Sequence, residues 1–284
     1  MTTVVDRFWR MMMDSVGDTA YLKKPAIPQP PPPPPPAPRR YATRYGLEVA
    51  YGLHLSPVDF GDLSPKVVRM DIDVEPGAMD AFLTSLAAKS IDALLITPYD
   101  YLRAPRTAEQ MAQELASFVA RYRGRVWGYE IMNEANNGSG NGSARSFSPA
   151  DYFEYLKTLS SVVLVHDARA HCISSGTSGM APDWHRALVA LGAKNYVDFA
   201  AFHPYGQSPS TIARSVAELA SIWGDTPLIC TEYGDADPQA ALDMHRALDG
   251  LVDTSVYFSW RYTPPYNLVG SSSYQPMKSL FARP

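Results

Sequence analysis

The sequence predicts an α/β chain in which eight parallel strands and the helices between them close into a (β/α)8 TIM barrel, compact, with abbreviated first and last helices. Three observations predict it. Short apolar runs alternate with segments of helical periodicity from about residue 41 onward. Eight such runs fit into roughly 245 residues, the usual length of a barrel of this kind. None of them is followed by the glycine-rich loop that a nucleotide-binding open sheet carries. Hydrophobic residues make up 46% of the chain and charged residues 19%, enough apolar surface for a large core.

The elements follow in order. Residues 1–24 carry Val5, Phe8, Trp9, Met11, Met12, Met13 and Val16, a short apolar segment that needs a surface to lie on. It either folds back on its own domain or tethers the chain to a partner protein or a particle. Asp6, Arg7, Arg10 and Asp14 interrupt the segment, so it lacks the continuous core of a signal peptide. The expectation is therefore the cytoplasm, export by another route, or a particle such as a virion, rather than the ordinary secretory route. Residues 25–40 include the unbroken run Pro30 to Pro36, a stiff polyproline II linker and a domain boundary.

The barrel then occupies residues 41–284, as a catalytic domain. Its strands are expected at 47–53, 67–72, 93–97, 126–133, 171–175, 197–202, 228–232 and 255–260. Helical stretches lie between them, at 79–89, 108–122, 150–166, 211–223 and 238–251. In the third of these Tyr152, Tyr155, Leu156, Leu159, Val162 and Val163 recur at helical spacing, behind the start signal Ser148-Pro149. Residues 54–66, with Pro57, Gly61 and Pro65, are too broken for a full first helix, and the tail after Tyr274 is too short for a long last one.

Several chemistries are excluded. A formal charge of −4 without a basic stripe argues against nucleic acid and for a neutral partner. Cys172 and Cys230 have neither metal nor redox spacing and read as buried free thiols. No apolar run reaches the length of a membrane span, and no histidine pair has zinc spacing. Asp71-Ile-Asp-Val-Glu-Pro-Gly77 begins like a calcium loop but lacks its glycine and its closing glutamate. Gly176-Thr-Ser-Gly179 is no nucleophile elbow, and Gly138-Ser-Gly-Asn-Gly142 is no dinucleotide fingerprint but, with Asn136 and Asn137, a flexible rim. No metal and no cofactor is called for.

Two carboxylates carry the positive signal. Glu134 closes Trp127-Gly-Tyr-Glu-Ile-Met-Asn-Glu134, and Glu232 closes the strand of Pro227-Leu-Ile-Cys-Thr-Glu232, 98 positions later. In a barrel both lie at the C-terminal ends of strands, where side chains from distant strands converge. Paired carboxylates across one pocket are the equipment of glycosidic bond cleavage. Burial against Trp127 and Tyr129 would raise the carboxyl of Glu134, while Arg69, His203 and Tyr205 would donate to Glu232. Arg69 has a second reading, a structural ion pair inside the barrel with Glu130, and His203 and Tyr205 could form a satisfied polar cluster. Asn133 and Glu134 are neighbours, so both reach one site only if the strand bends or bulges there. Trp260, at the end of the last strand, is a candidate platform for a sugar ring, as are Tyr99, Tyr101, Trp127, Tyr233, Tyr262 and Tyr266.

Tyr129-Glu-Ile-Met-Asn-Glu-Ala-Asn136, Val197-Asp-Phe-Ala-Ala-Phe-His-Pro-Tyr-Gly206, Thr231-Glu-Tyr-Gly234 and Ser259-Trp260 resemble the retaining (β/α)8 glycoside hydrolases of clan A, families 39 and 5 above all. The likeness covers most of residues 45–280. It implies Glu134 as acid/base, Glu232 as nucleophile, Asn133 as ligand of the sugar 2-hydroxyl, and His203 and Tyr205 as the polar pair of the sixth strand. It further implies Arg69 as the arginine that orients the nucleophile and Trp260 as the last strand's platform. Met132 and Ala135 depart from the usual motif, where an aromatic or small residue and a proline often stand. The expected activity is a retaining O-glycosidase on a β-linked oligo- or polysaccharide, and short segments after the first three strands suggest an open cleft and endo action. The competing readings are a non-catalytic carbohydrate-binding adhesin tethered by its N-terminus, and a transglycosidase.

Overall fold

The computed structural model describes residues 41–49, 60, 63–72, 76–97, 106–138, 146–235, 237–259, 268, 277 and 278. The expectations for residues 1–24 and 25–40, for Trp260, Tyr99, Tyr101, Tyr262 and Tyr266, and for most of the first and last helical segments lie outside the described residues.

Among the described residues nine strands form one sheet: β1 (Arg44–Glu48), β2 (Val67–Asp71), β3 (Asp92–Ile96), β4 (Gly128–Glu130), β5 (His171–Ile173), β6 (Thr177–Ser178), β7 (Ala200–His203), β8 (Leu228–Tyr233) and β9 (Thr254–Tyr257). They pair in the order β5-β4-β3-β2-β1-β9-β8-β7-β6, and every pair is parallel. A parallel bridge between Ile173 and Phe199 joins the two ends, with Ser174 N–H donating to the Phe199 carbonyl at 3.0 Å. The ring is therefore closed, and the protein is a (β/α)8 barrel. β5 and β6 are two halves of the fifth barrel strand, which the sequence reading placed as one run at 171–175. Side chains take over the ladder where it breaks: Ser175 N–H donates to Tyr152 Oη at 2.7 Å, Ala201 N–H to Ser174 Oγ at 2.9 Å, and Gly176 N–H to Glu130 Oε1 at 2.9 Å.

Six described helices surround the sheet: α1 (Pro76–Ala88), α2 (Ala108–Arg121), α3 (Pro149–His166), α4 (Pro182–Ala190), α5 (Pro209–Trp223) and α6 (Pro238–Leu248). Their starts follow local chemistry. Thr107 and Gln110 make a reciprocal capping box on α2, and Ser148 caps α3 with Pro149 in its first turn. α4 lies outside the helical stretches named from sequence.

Alternation along the strands builds two cores. Outward residues such as Leu47, Val68, Met70, Tyr129 and Phe202 pack under the helices. Inward residues Val67, Leu94, Ile173, Phe199, Ala201 and Ile229 fill the barrel, with Trp127 against them. Arg44 closes the N-terminal mouth: its guanidinium lies 4.3 Å from the Trp127 ring and 2.7 Å from Asp92. The barrel is thus plugged at one end, and its polar residues gather at the other.

Candidate active site

Because all strands run the same way, their C-terminal ends share one mouth, and the sequence places carboxylates there. Glu48 ends β1, Glu130 ends β4, His203 ends β7, and Glu232 is the penultimate residue of β8. Arg69, in the middle of β2, points inward beneath them.

Two backbone irregularities aim the acidic pair. After β4 the chain leaves strand geometry with positive φ at Met132 (66°) and Glu134 (42°), a region that costs a non-glycine residue about 1–2 kcal/mol. Surrounding bonds hold it there: Met132 N–H donates to Thr97 Oγ1 at 3.0 Å, Glu134 N–H to the Gly176 carbonyl at 2.9 Å, and Ala135 N–H to Ser175 Oγ at 3.0 Å. This is the bend that neighbouring Asn133 and Glu134 require to share one site. In β8 the register against β9 shifts between Cys230 and Tyr233. Strict alternation would send Glu232 outward when Thr231 points inward; the shift lets both face the barrel.

Arg69 is fully buried and sits among three carboxylates. It donates from Nε to Glu130 Oε2 at 2.7 Å, and from Nη1 to both Glu48 Oε2 at 2.5 Å and Glu232 Oε1 at 2.6 Å. Its Nη2 reaches Asn133 Oδ1 at 2.8 Å. Both sequence readings of Arg69 are therefore present in one side chain, the pair with Glu130 and the bond to Glu232. Burial works against the guanidinium's charge, but the three carboxylates more than offset it and hold its pKa above the usual arginine value. Burial pushes the Glu48 carboxyl well above the ordinary carboxylate range; Arg69 opposes this, and the charges of Glu232 and Asp71 add to it. The Tyr205 hydroxyl donates to Glu232 Oε2 at 3.3 Å, and burial together with Glu232, Glu48 and Glu134 keeps that phenol protonated.

Glu134 is set differently. His203 Nδ1 lies 3.0 Å from its Oε1, and Asn137 Nδ2 donates to its Oε2 at 3.3 Å. Burial acts to raise this carboxyl, and hydrogen bonds from His203, Asn137 and Ser178, with the His203 charge, outweigh it and bring it below its ordinary value. The sequence expectation was the reverse, a carboxyl raised by Trp127 and Tyr129. The cause is geometric: Trp127 precedes β4 and packs at the far mouth against His171 and Phe199, and Tyr129 faces outward. Tyr233, another proposed platform, is fully buried, with its hydroxyl on His245 and its ring on Tyr257.

Asn136 and Asn137, read as part of a flexible rim, instead bind β6: Asn136 exchanges bonds with the Ser178 backbone at 2.9 and 3.0 Å, and Asn137 Nδ2 donates to Ser178 Oγ at 3.1 Å. Sequence reasoning did not place Glu48 or Thr231 in the site. The signal for Glu48 was available, a glutamate inside the apolar run Leu47-Glu-Val49.

Glu134, His203 and Glu232 each bring one carboxylate or imidazole atom to within 4.8 Å of the others. A metal ion shared among them would have to break their present hydrogen bonds and sit near the Arg69 guanidinium, a like charge 2.6 Å from Glu232. The arrangement suits two carboxylates facing one reacting carbon better. Among the described residues no helix is long and apolar enough to cross a membrane.

No family model and no curated protein matches the chain. Its fold is shared with solved structures. A monomeric beta-xylosidase from Caulobacter crescentus CB15 matches with a TM-score of 0.68 at 16% identity, over 87% of this chain and 69% of that one. A glycoside hydrolase family 39 beta-xylosidase from Caulobacter crescentus matches with a TM-score of 0.61 at 18% identity, over 78% and 63%. Xylanase 10B from Thermotoga petrophila RKU-1, in complex with xylobiose, matches with a TM-score of 0.59 at 13% identity, over 84% and 94%. The chain spans less than two thirds of the family 39 enzyme. At such identities the likeness is one of fold, the (β/α)8 barrel that these glycoside hydrolases use.

Proposed function

We propose that this protein is a retaining O-glycoside hydrolase that cleaves a β-linked, neutral oligo- or polysaccharide by double displacement. The observation that carries the reading is the spacing of the acidic pair: a carboxylate oxygen of Glu134 and one of Glu232 lie within 4.8 Å at the C-terminal mouth. Retaining enzymes hold their carboxyls about 5–5.5 Å apart, and inverting ones about 6.5–9.5 Å, to admit a water.

In the first step Glu232 attacks the anomeric carbon while Glu134 protonates the departing glycosidic oxygen, and the C–O bond breaks to leave a glycosyl ester on Glu232. In the second, Glu134 takes a proton from water, the water oxygen bonds to the anomeric carbon, and the Glu232 carboxylate is released. Arg69 and Tyr205, one on each oxygen of Glu232, orient it for attack. Asn133 has its carbonyl oxygen on Arg69, which leaves its amide nitrogen as the group presented to the sugar 2-hydroxyl. With the Glu48 carboxyl raised by burial, Glu130, Glu134 and Glu232 still outnumber the one arginine among them, so an acidic sugar would be repelled, and a neutral one fits. The folds that match, a beta-xylosidase and a xylanase among them, make a β-xyloside the first substrate to try. Endo action belongs to the same proposal and rests on the short segments after the first three strands.

The test is intact mass after incubation with a 2-deoxy-2-fluoro β-xyloside, with mannose and glucose analogues alongside, followed by peptide mapping. A covalent adduct on Glu232 is expected. Products of inverted configuration with no adduct would overturn the retaining assignment. Saturable polysaccharide binding that Glu232→Gln leaves intact, with no turnover by the unaltered chain, would establish the adhesin reading instead.

A further inference from the structure

A retaining mechanism asks Glu134 to deliver a proton, yet its surroundings favour the carboxylate. The hydrogen bonds behind His203 show where the proton can be kept. Glu130 faces donors on both oxygens, Arg69 Nε at 2.7 Å from Oε2 and Gly176 N–H at 2.9 Å from Oε1, so it can only accept from a third neighbour. That neighbour is the Thr231 hydroxyl, 3.1 Å from Oε1. A hydroxyl has one hydrogen, and a carboxylate is a stronger acceptor than an imidazole nitrogen. With its hydrogen directed to Glu130, Thr231 Oγ1 meets His203 Nε2, at 3.0 Å, as an acceptor. His203 Nε2 must then carry a hydrogen. A neutral ring of that tautomer has a bare Nδ1, and Nδ1 is the atom 3.0 Å from Glu134 Oε1. Two bare acceptors do not sit at 3.0 Å, so a proton belongs to that contact.

We propose that Thr231 is a positioning residue that fixes the tautomer of His203 and thereby stores, on the Glu134–His203 hydrogen bond, the proton that Glu134 delivers to the leaving group. The inference rests on the glycosidase reading for its catalytic consequence and on geometry alone for the tautomer. In the free site Glu134 Oε1 is the acceptor of that 3.0 Å contact, since its hydrogen bonds from His203, Asn137 and Ser178 favour the carboxylate. Sugar binding removes water, which favours the uncharged arrangement, neutral imidazole and protonated Glu134. The atoms balance: one proton moves from Nδ1 to Oε1 and on to the leaving oxygen. The other groups facing His203 are Glu232, whose Oε2 is 3.7 Å from Nδ1, and Tyr205, whose ring meets its own edge-on at 6.0 Å. Arg69 acts on it through Glu232 and Glu130. Thr231 is fully buried, and Gly176 guards the arrangement: a Cβ there would fall 2.2 Å from His203 Nε2 and 2.5 Å from Thr231 Oγ1.

The experiment uses the full chain labelled with 15N-histidine, with His203 assigned through the spectrum of His203→Gln. Long-range proton–nitrogen correlations across the pH range should show Nε2 protonated throughout and only Nδ1 changing. Thr231→Val, close to the same shape, should release that restriction, and Thr231→Ser should restore it. A neutral ring protonated at Nδ1 in the unaltered chain overturns the proposal. The kinetic arm compares a 2,4-dinitrophenyl β-xyloside, which needs little help from an acid, with a phenyl β-xyloside, which needs much. Thr231→Val should lower kcat/KM on the phenyl substrate at least about ten-fold more than on the dinitrophenyl one. Equal losses on both would mean that valine merely disturbs Glu232, and would reject the proton-storage role. If the unaltered chain hydrolyses no aryl glycoside of the panel, the functional reading falls and the ring spectra alone decide the role of Thr231.

Discussion

Glu48 concentrates the site's electrostatic problem in one residue. It shares Arg69 Nη1 with Glu232, at 2.5 and 2.6 Å, so a second full charge at that nitrogen competes with the first. Burial raises the Glu48 carboxyl well above its ordinary value, meaning that the folded chain holds this proton more tightly than the unfolded chain. Stability from this group is therefore fully present below the ordinary carboxylate range and is lost as pH rises through the elevated folded value. Glu48→Gln fixes the neutral form. Thermal unfolding should place the variant progressively above the parent as pH is raised from acid to alkaline, while a difference in Tm that ignores pH would show that folding leaves the carboxyl's hold on its proton unchanged. Residue identity marked the acid pair, Arg69 and the His203–Tyr205 pair as candidates in the chain, because each sits in a short, distinctive motif within a strand or just after it. Trp127 was misplaced for an equally simple reason: seven residues before Glu134, at about 3.3 Å each, carry it toward the opposite mouth.

Among the elements, α4 illustrates how a buried histidine couples a helix to acid. His185 accepts from Trp223 Nε1 at Nδ1, 3.1 Å away, and its Nε2 lies 3.1 Å from Thr177 Oγ1, whose own hydroxyl donates to the Gly179 carbonyl. Both ring nitrogens are thus committed in a neutral ring, and burial pushes the group from 6.5 down to about 3. Between those two values the unfolded chain takes up a proton that the folded chain refuses, so stability falls as pH falls through this window. His185→Gln should cost stability at about pH 7 and much less at about pH 4.5, as read from urea midpoints. A gap of constant size at both pH values would show that the ring does not resist protonation. The helices with clear caps and apolar stripes were legible from periodicity. The split of the fifth strand was not, because it depends on Tyr152 and Glu130 supplying side-chain bonds from elsewhere in the fold and on Ser174, in the break itself, accepting from Ala201.

For the whole molecule, a plugged mouth and an open one divide stability from chemistry. Arg44 ties β1 to Asp92 of β3 and Thr254 of β9, at 2.7 and 3.1 Å, and covers the Trp127 ring. Since these groups are partly exposed, their loss is modest. Arg44→Ala should lower stability by about 1–2 kcal/mol in urea unfolding and leave kcat unchanged, the site being at the other end. A fall in turnover equal to the fall in stability would show that the two mouths are mechanically linked.

By itself the sequence determined the barrel and offered the two glutamates as candidates, because periodicity and local motifs are properties of neighbouring residues, while it ran several strands too long, the fourth to 133 where β4 ends at Glu130. Only the tertiary structure decided how those carboxyls are tuned. Glu48, Glu130 and Glu232 meet on Arg69, and Thr231 meets His203, through closure of a sheet whose strands are far apart in the chain. A pKa answers to what lies within a few ångströms, and for a buried group that neighbourhood is assembled by folding.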